Sequence, residues 1–94
     1  MKSTKQEREY MGLVAELGCC VCLKSGYETA AEVHHVGNGT MGKRASNYDV
    51  IPLCHIHHRN GGHGVAIHSG RKEWEKNHGK ELDFLAEVKS ILCE

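Results

Sequence analysis

Residues 31–60 read AEVHHVGNGTMGKRASNYDVIPLCHIHHRN and hold five of the chain's eight histidines together with one of its five cysteines. Val33 and Val36 flank a His-His pair, which predicts a short strand over Ala31 to Val36. A second strand is predicted over Tyr48 to Ile51, with the glycine-bearing stretch 37–47 as a long loop between them. Pro52 has no N–H for a ladder hydrogen bond and is expected to end that strand. The phrase LCHIHHRN then suits a short helix closed by Gly61 and Gly62. A hairpin followed by a helix thus gathers most of the imidazoles.

Working outward, Ser3 to Leu17 reads as a helix. Thr4 and Glu7 fit a capping box, and Tyr10, Leu13, Val14 and Leu17 recur at helical spacing until Gly18 stops it. CCVCLKSGYETA is too rich in cysteine and turn formers for a regular element and reads as an irregular knuckle. Beyond the loop GGHGVAIH, Ser69 is expected to cap a helix through GRKEWEKNH, which Gly79 closes. A last helix over Glu81 to Cys93 is expected to carry Leu82, Leu85, Val88, Ile91 and Leu92 on its apolar face. The predicted order is helix, knuckle, hairpin and three helices, an α+β class in one domain over residues 1–94.

A chain of 94 residues buries only about 60–70% of its unfolded surface, so its core alone gives modest stability. Trp74, Phe84, Tyr10, Tyr27 and Tyr48 are its only large rings. Small domains of this kind add disulfides, a structural metal or a partner subunit. Five cysteines is an odd number, and the opening MKSTKQERE is charged rather than apolar. A secreted disulfide framework is therefore not expected. No apolar run approaches the ~20 residues of a membrane span, so the expectation is a soluble cytoplasmic protein with no membrane partner. Net charge is zero with histidines neutral, which does not advertise a nucleic-acid binder. Local charge does, since Lys43, Arg44, Arg59, Arg71 and Lys72 lie near the histidine-rich stretch.

Cys19-x2-Cys22 supplies two thiolates, and Cys54-x2-His57 adds a third thiolate and an imidazole. Together they form a Cys3His set of the number and softness that a structural zinc takes. Cys20 can replace Cys19, although only Cys19 leaves the two intervening residues of a knuckle turn. Cys93 is expected to pack rather than to ligate. This leaves His34, His35, His58, His63 and His68. Strand neighbours point to opposite faces, so His34 and His35 should hold different jobs. One of the pair can share a metal with His58 while the other faces an adjoining cleft. A metal beside a proton-accepting imidazole is the equipment for activating water. His68 can complete the metal site, donate to a phosphate or cap local structure. His63 reads as a loop residue, His55 and His78 as solvent-facing, and His78 also as a packing partner for Trp74 one helical turn away.

These residues resemble the HNH, or ββα-metal, endonuclease family. Its pattern is a CxxC knuckle, a strand with an Asp-His or His-His pair, a loop, a second strand, the phrase PLC, and two closely spaced metal ligands. The match is Cys19-x2-Cys22, EVHHV at 32–36 and DVIPLCHIHH at 49–58, within a knuckle and ββα core over residues 18–60. Segments 3–17 and 70–93 would be flanking helices. The downstream GGHGVAIHSGRKEWEKNHGKELDFLAEV is similar to the phage recombination-enhancement (Ref) nucleases, a RecA-dependent branch.

The resemblance implies a zinc-stabilised core and a metal-dependent DNA endonuclease acting in phage DNA recombination, with DNA and a RecA filament as partners. His34 and His58 would hold the catalytic divalent ion, and His35 would be the general base. The residue that orients the base is usually an asparagine; here Asp49 stands in that region, with Asn47 close by. His68 is a further catalytic candidate. Lys43, Arg44 and Arg59 would contact phosphates, which position a strand without reading its sequence. Zinc, manganese and nickel suit nitrogen ligands, and magnesium, which prefers oxygen, suits them least. A competing expectation is a non-catalytic zinc-knuckle module that binds nucleic acid or protein and holds one ion per chain.

Overall fold

The computed structural model of the chain describes residues 4–36 and 48–92. Helix α1, Lys5–Glu16, begins at the capping box foreseen for it. The Thr4 hydroxyl accepts from the Glu7 N–H at 3.0 Å, and the Glu7 carboxylate accepts from the Thr4 N–H at 2.8 Å. Its inward stripe is Tyr10, Met11, Val14 and Leu17, while Leu13, expected inside, is half exposed at the side of that stripe. Gly18 turns the chain with φ +85°, and a Cβ there would meet the Thr29 carbonyl at 3.3 Å. Both the backbone angle and the space call for glycine at this point.

The knuckle is more regular than its composition suggests, because Cys20–Lys24 forms a short helix, α2. Cys19 caps it, its sulfur accepting from the Cys22 N–H at 3.5 Å in the manner of a serine or aspartate cap.

Strands β1, Glu32–His35, and β2, Val50–Leu53, pair antiparallel in one two-stranded sheet, with His34 opposite Ile51 and His35 opposite Val50. The second strand starts two residues later than expected and runs through Pro52. The register explains this tolerance. Val36 N–H bonds the Asp49 carbonyl at 2.8 Å, and hydrogen-bonded pairs alternate along an antiparallel ladder, so Val33 opposite Pro52 is a non-bonded pair. The proline nitrogen therefore faces away from β1 and no bond is lost. All four β2 residues are buried, packed against α1, α2 and the C-terminal helix.

After β2 comes a single wide turn of π-type helix, Ile56–Asn60, closed by the Gly61 N–H on the Ile56 carbonyl. A 3-10 turn, Ile67–Ser69, leads into α3, Arg71–His78, and Gly79 leads out towards α4, Glu81–Leu92. The α3 cap is Gly70 rather than Ser69, because Ser69 completes the 3-10 turn and its carbonyl accepts from His63 Nδ1 at 3.2 Å. In α4 the buried residues are Glu81, Phe84 and Val88, whereas Leu82 and Ile91 point outward. The expected apolar face is thus rotated, with Phe84 packing its ring against Trp74 at 5.8 Å between centroids. Trp74, Phe84, Val14 and the β2 residues Val50, Ile51 and Leu53 are the bulk of the core. Among the described residues no helix is long and apolar enough to cross a membrane.

Candidate functional site

Four elements converge on the first cluster. Cys19 comes from the α1–α2 junction, Cys22 from α2, Cys54 from the end of β2 and His57 from the π-type turn, and one ligand atom of each lies within 4.8 Å of all the others. The separations test the fit to a tetrahedral ion. Metal–sulfur and metal–nitrogen bonds of about 2.3 and 2.05 Å at tetrahedral angles put two sulfurs about 3.8 Å apart and a sulfur and nitrogen about 3.6 Å apart. Cys22 Sγ and Cys54 Sγ are 3.8 Å apart, and His57 Nδ1 lies 3.6, 3.6 and 3.2 Å from the sulfurs of Cys19, Cys22 and Cys54. Three of the four separations match those values and the Cys54–His57 one is about 0.4 Å short, so this group could hold a metal ion after a small adjustment. Cys19, Cys22 and Cys54 are free thiols, not disulfides.

Burial raises the Cys19 thiol to about 11, despite hydrogen bonds from the Cys54 and Cys22 backbone. Burial opposes ionisation of Cys54 too, but the His57 backbone N–H and the Cys19 and Cys22 thiols outweigh it and its pKa falls. Burial, then the neighbouring His78, lowers the pKa of His57. The His78 ring stacks edge-on against His57 at 5.2 Å and against Trp74 at 5.4 Å, so the expected packing against Trp74 is found while the expected solvent-facing position is not. Cys20 is outside the cluster. Burial pushes its thiol up to about 12, beside an apolar pocket lined by Leu17, Leu23, Pro52 and Val88.

The second cluster is made of imidazoles. His34 on β1, His58 on the π-type turn and His68 on the 3-10 turn each bring a ring nitrogen within 4.8 Å of the other two. Ring centroids are 5.1 Å apart for His34 and His58, 5.6 Å for His34 and His68, and 4.3 Å for His58 and His68. Three nitrogen donors meeting at a point suit a borderline transition ion. Of the uses left open for His68, the geometry favours completing this cluster.

Carboxylates hold two of the three rings. His58 Nδ1 donates to Glu32 Oε1 at 2.8 Å, and Arg59 forks onto the same carboxylate through Nε at 3.1 Å and through its terminal nitrogen. The Arg59 hydrogen bond, then that of His58, holds the Glu32 carboxyl down at about 2. Burial lowers the pKa of His58, against the pull of Glu32. A neutral ring with Nδ1–H on Glu32 presents its Nε2 lone pair, the arrangement by which outer carboxylates orient metal-binding histidines. His34 Nε2 donates to Glu81 Oε2 at 2.5 Å.

His35 lies outside this cluster, exposed, and by strand alternation on the opposite side of β1 from His34. Asp49 sits opposite Val36, on the His34 side of the hairpin, and its Oδ1 accepts from Lys89 Nζ at 2.7 Å. Its carboxylate is thus engaged by α4. Arg59 is exposed but committed to Glu32. Lys43, Arg44, Asn47 and Cys93 lie outside the described residues. His55 is exposed as expected, and His63 is a loop residue bonded to Ser69. Sequence reasoning passed over Glu32 and Glu81. Glu32 carried a signal, since it stands two residues before His34 and so shares its face of the strand. Glu81 carried none, being 47 residues away from His34.

The fold and the two clusters define a small α+β domain with a candidate Cys3His metal site and a three-imidazole site side by side. By sequence the chain belongs to the DUF968 family, described as a protein of unknown function, which matches residues 1–91. A comparison with curated proteins found no match.

Proposed function

We propose that this protein is a metal-dependent DNA endonuclease of the HNH type, with zinc at the Cys3His site. The observation that carries the reading is the second cluster. A zinc-knuckle module needs only its four structural ligands, yet His34, His58 and His68 converge beside them. The order β1, β2 and a ligand-bearing helical turn supports a ββα-metal core, although the third element is one wide turn rather than a full helix.

In this reading His34, His58 and His68 hold a divalent ion such as manganese, nickel or zinc. When bound, that ion supplies a Lewis acid for a phosphate oxygen and for the charge developing on the departing 3′ oxygen. Glu32 fixes the His58 ring, and Arg59 holds the Glu32 carboxylate in place. The base that takes the proton from the attacking water is assigned to His35 on the resemblance, next to His34 in the chain although by strand alternation it stands on the other side of β1. Arg59 sits at the edge of the cluster, where donors left over from Glu32 meet a phosphate. Such contacts position a strand and read no base edge, so cleavage with little sequence preference follows.

The test is metal content per chain, together with nicking of plasmid and single-stranded DNA with added manganese, nickel or zinc, with and without a RecA filament. Two metal sites per chain and cleavage lost in His35→Ala support the nuclease. One site and no cleavage under any metal would leave the non-catalytic binding module.

A further inference from the structure

Glu81 breaks a local rule. It is the first residue of α4, a position where a glutamate normally stands in solvent facing the helix dipole. Here it is only 4% exposed, while Leu82 beside it is 68% exposed. Apolar burial would turn the helix the other way, so the hydrophobic effect does not place Glu81 inside. Burying a carboxylate costs several kcal/mol unless charged or hydrogen-bonded partners compensate. Its partners are specific: Oε2 accepts from His34 Nε2 at 2.5 Å, and Oε1 is 3.7 Å from the Arg71 guanidinium. The backbone is pinned as well, because Glu81 N–H donates to the Glu75 carboxylate on α3 at 2.9 Å. A violation of patterning held in place by three separate contacts is the mark of a functional constraint.

We infer that Glu81 is a positioning residue for the imidazole metal site, setting the tautomer and direction of His34 from the far end of the chain. With Nε2–H committed to Glu81, the neutral ring offers Nδ1 as its lone pair. The carboxylate also makes that nitrogen a stronger donor. Arg71 offsets part of the buried charge, and the α3–α4 corner becomes part of the site although it holds none of the three clustered imidazoles. The inference rests on the reading of His34 as a ligand.

The experiment is a cobalt titration of zinc-loaded protein, following the absorption of cobalt bound to nitrogen without thiolate charge-transfer bands, with thermal unfolding of the same samples. Glu81→Gln keeps the shape and one acceptor but loses the charge, and Glu81→Ala loses both. Outer carboxylates of this kind typically change metal affinity about 10–100-fold. The expected order of affinity is wild type, then Glu81→Gln, then Glu81→Ala, with the Gln variant melting close to wild type. Wild-type cobalt affinity in folded Glu81→Ala would overturn the inference; if that variant does not fold, wild-type affinity in Glu81→Gln does so. His34→Ala separates the two ideas. If it abolishes the cobalt signal while the Glu81 variants leave affinity unchanged, the positioning role alone fails. If His34→Ala leaves cobalt binding intact, His34 is no ligand, and the reading beneath the inference falls with it.

Discussion

Cys54→Ser probes the Cys3His site at a buried junction. The sulfur is 3.2 Å from His57 Nδ1 and 3.8 Å from Cys22 Sγ, at the point where β2 ends and the histidine-bearing turn begins. Structural zinc in small domains contributes about 10–16 kcal/mol on binding, so one of four ligands accounts for roughly 2.5–4 kcal/mol. At ~1.4 kcal/mol per decade, zinc affinity should fall by about two to three orders of magnitude. In a domain of this size each kcal/mol moves the melting midpoint by about 4–8 °C, which gives a loss of roughly 10–30 °C. Full removal of the ion takes away a free energy comparable to the ~5–15 kcal/mol that holds a typical domain together, so the chain in strong chelator should be at or near its unfolding limit. Zinc quantification after dialysis against chelators of graded affinity, with melts followed by circular dichroism, measures both effects. A Cys54→Ser protein that melts like wild type and retains its zinc would refute the four-ligand site.

Cys20→Ser should keep zinc and melt within ~0.5 kcal/mol of wild type, because Cys20 stands outside the cluster; loss of zinc would move the knuckle ligand from Cys19 to Cys20. His35→Ala should retain both metals and cut DNA cleavage by ~100-fold or more in a nicking assay, and an unchanged rate removes it as general base. His58→Ala should lose the second ion while keeping the first, as read by cobalt titration; retention of both would leave His34 and His68 without their central partner. Phe84→Ala should cost about 3–5 kcal/mol, whereas Leu82→Ala should cost no more than ~0.5, a contrast that denaturant melts can check.

What could be read from the sequence divides by the range of the interaction that fixes it. Cys19, Cys22, Cys54 and His57 were legible because each half of the set is a local turn with two intervening residues. The α1 start was legible because Thr4 and Glu7 bond each other within one turn. Failures begin where a distant partner decides. The spacing of Leu82, Leu85 and Val88 describes a plausible apolar face, but His34 and Arg71 draw Glu81 inward and turn Leu82 out. Ser69 is a good cap by type, yet the 3-10 turn in front of α3 takes it first. His68 could be given no single role, because only the packing of its turn against His34 and His58 selects among them.

The π-type turn Ile56–Asn60 links the two ranges. Its consecutive residues His57 and His58 face different directions, His57 towards the three thiols and His58 towards Glu32, His34 and His68. Widened turns of this kind occur often at functional sites because they re-aim side chains that a regular helix would place otherwise. An ion at the first cluster would therefore fix the backbone from which the second is built, and would couple stability to the imidazole site through one peptide bond. On this geometry, loss of zinc removes the second cluster even in conditions where the rest of the domain stays folded. Cobalt binding at His34, His58 and His68 in zinc-free protein would show the two sites to be independent.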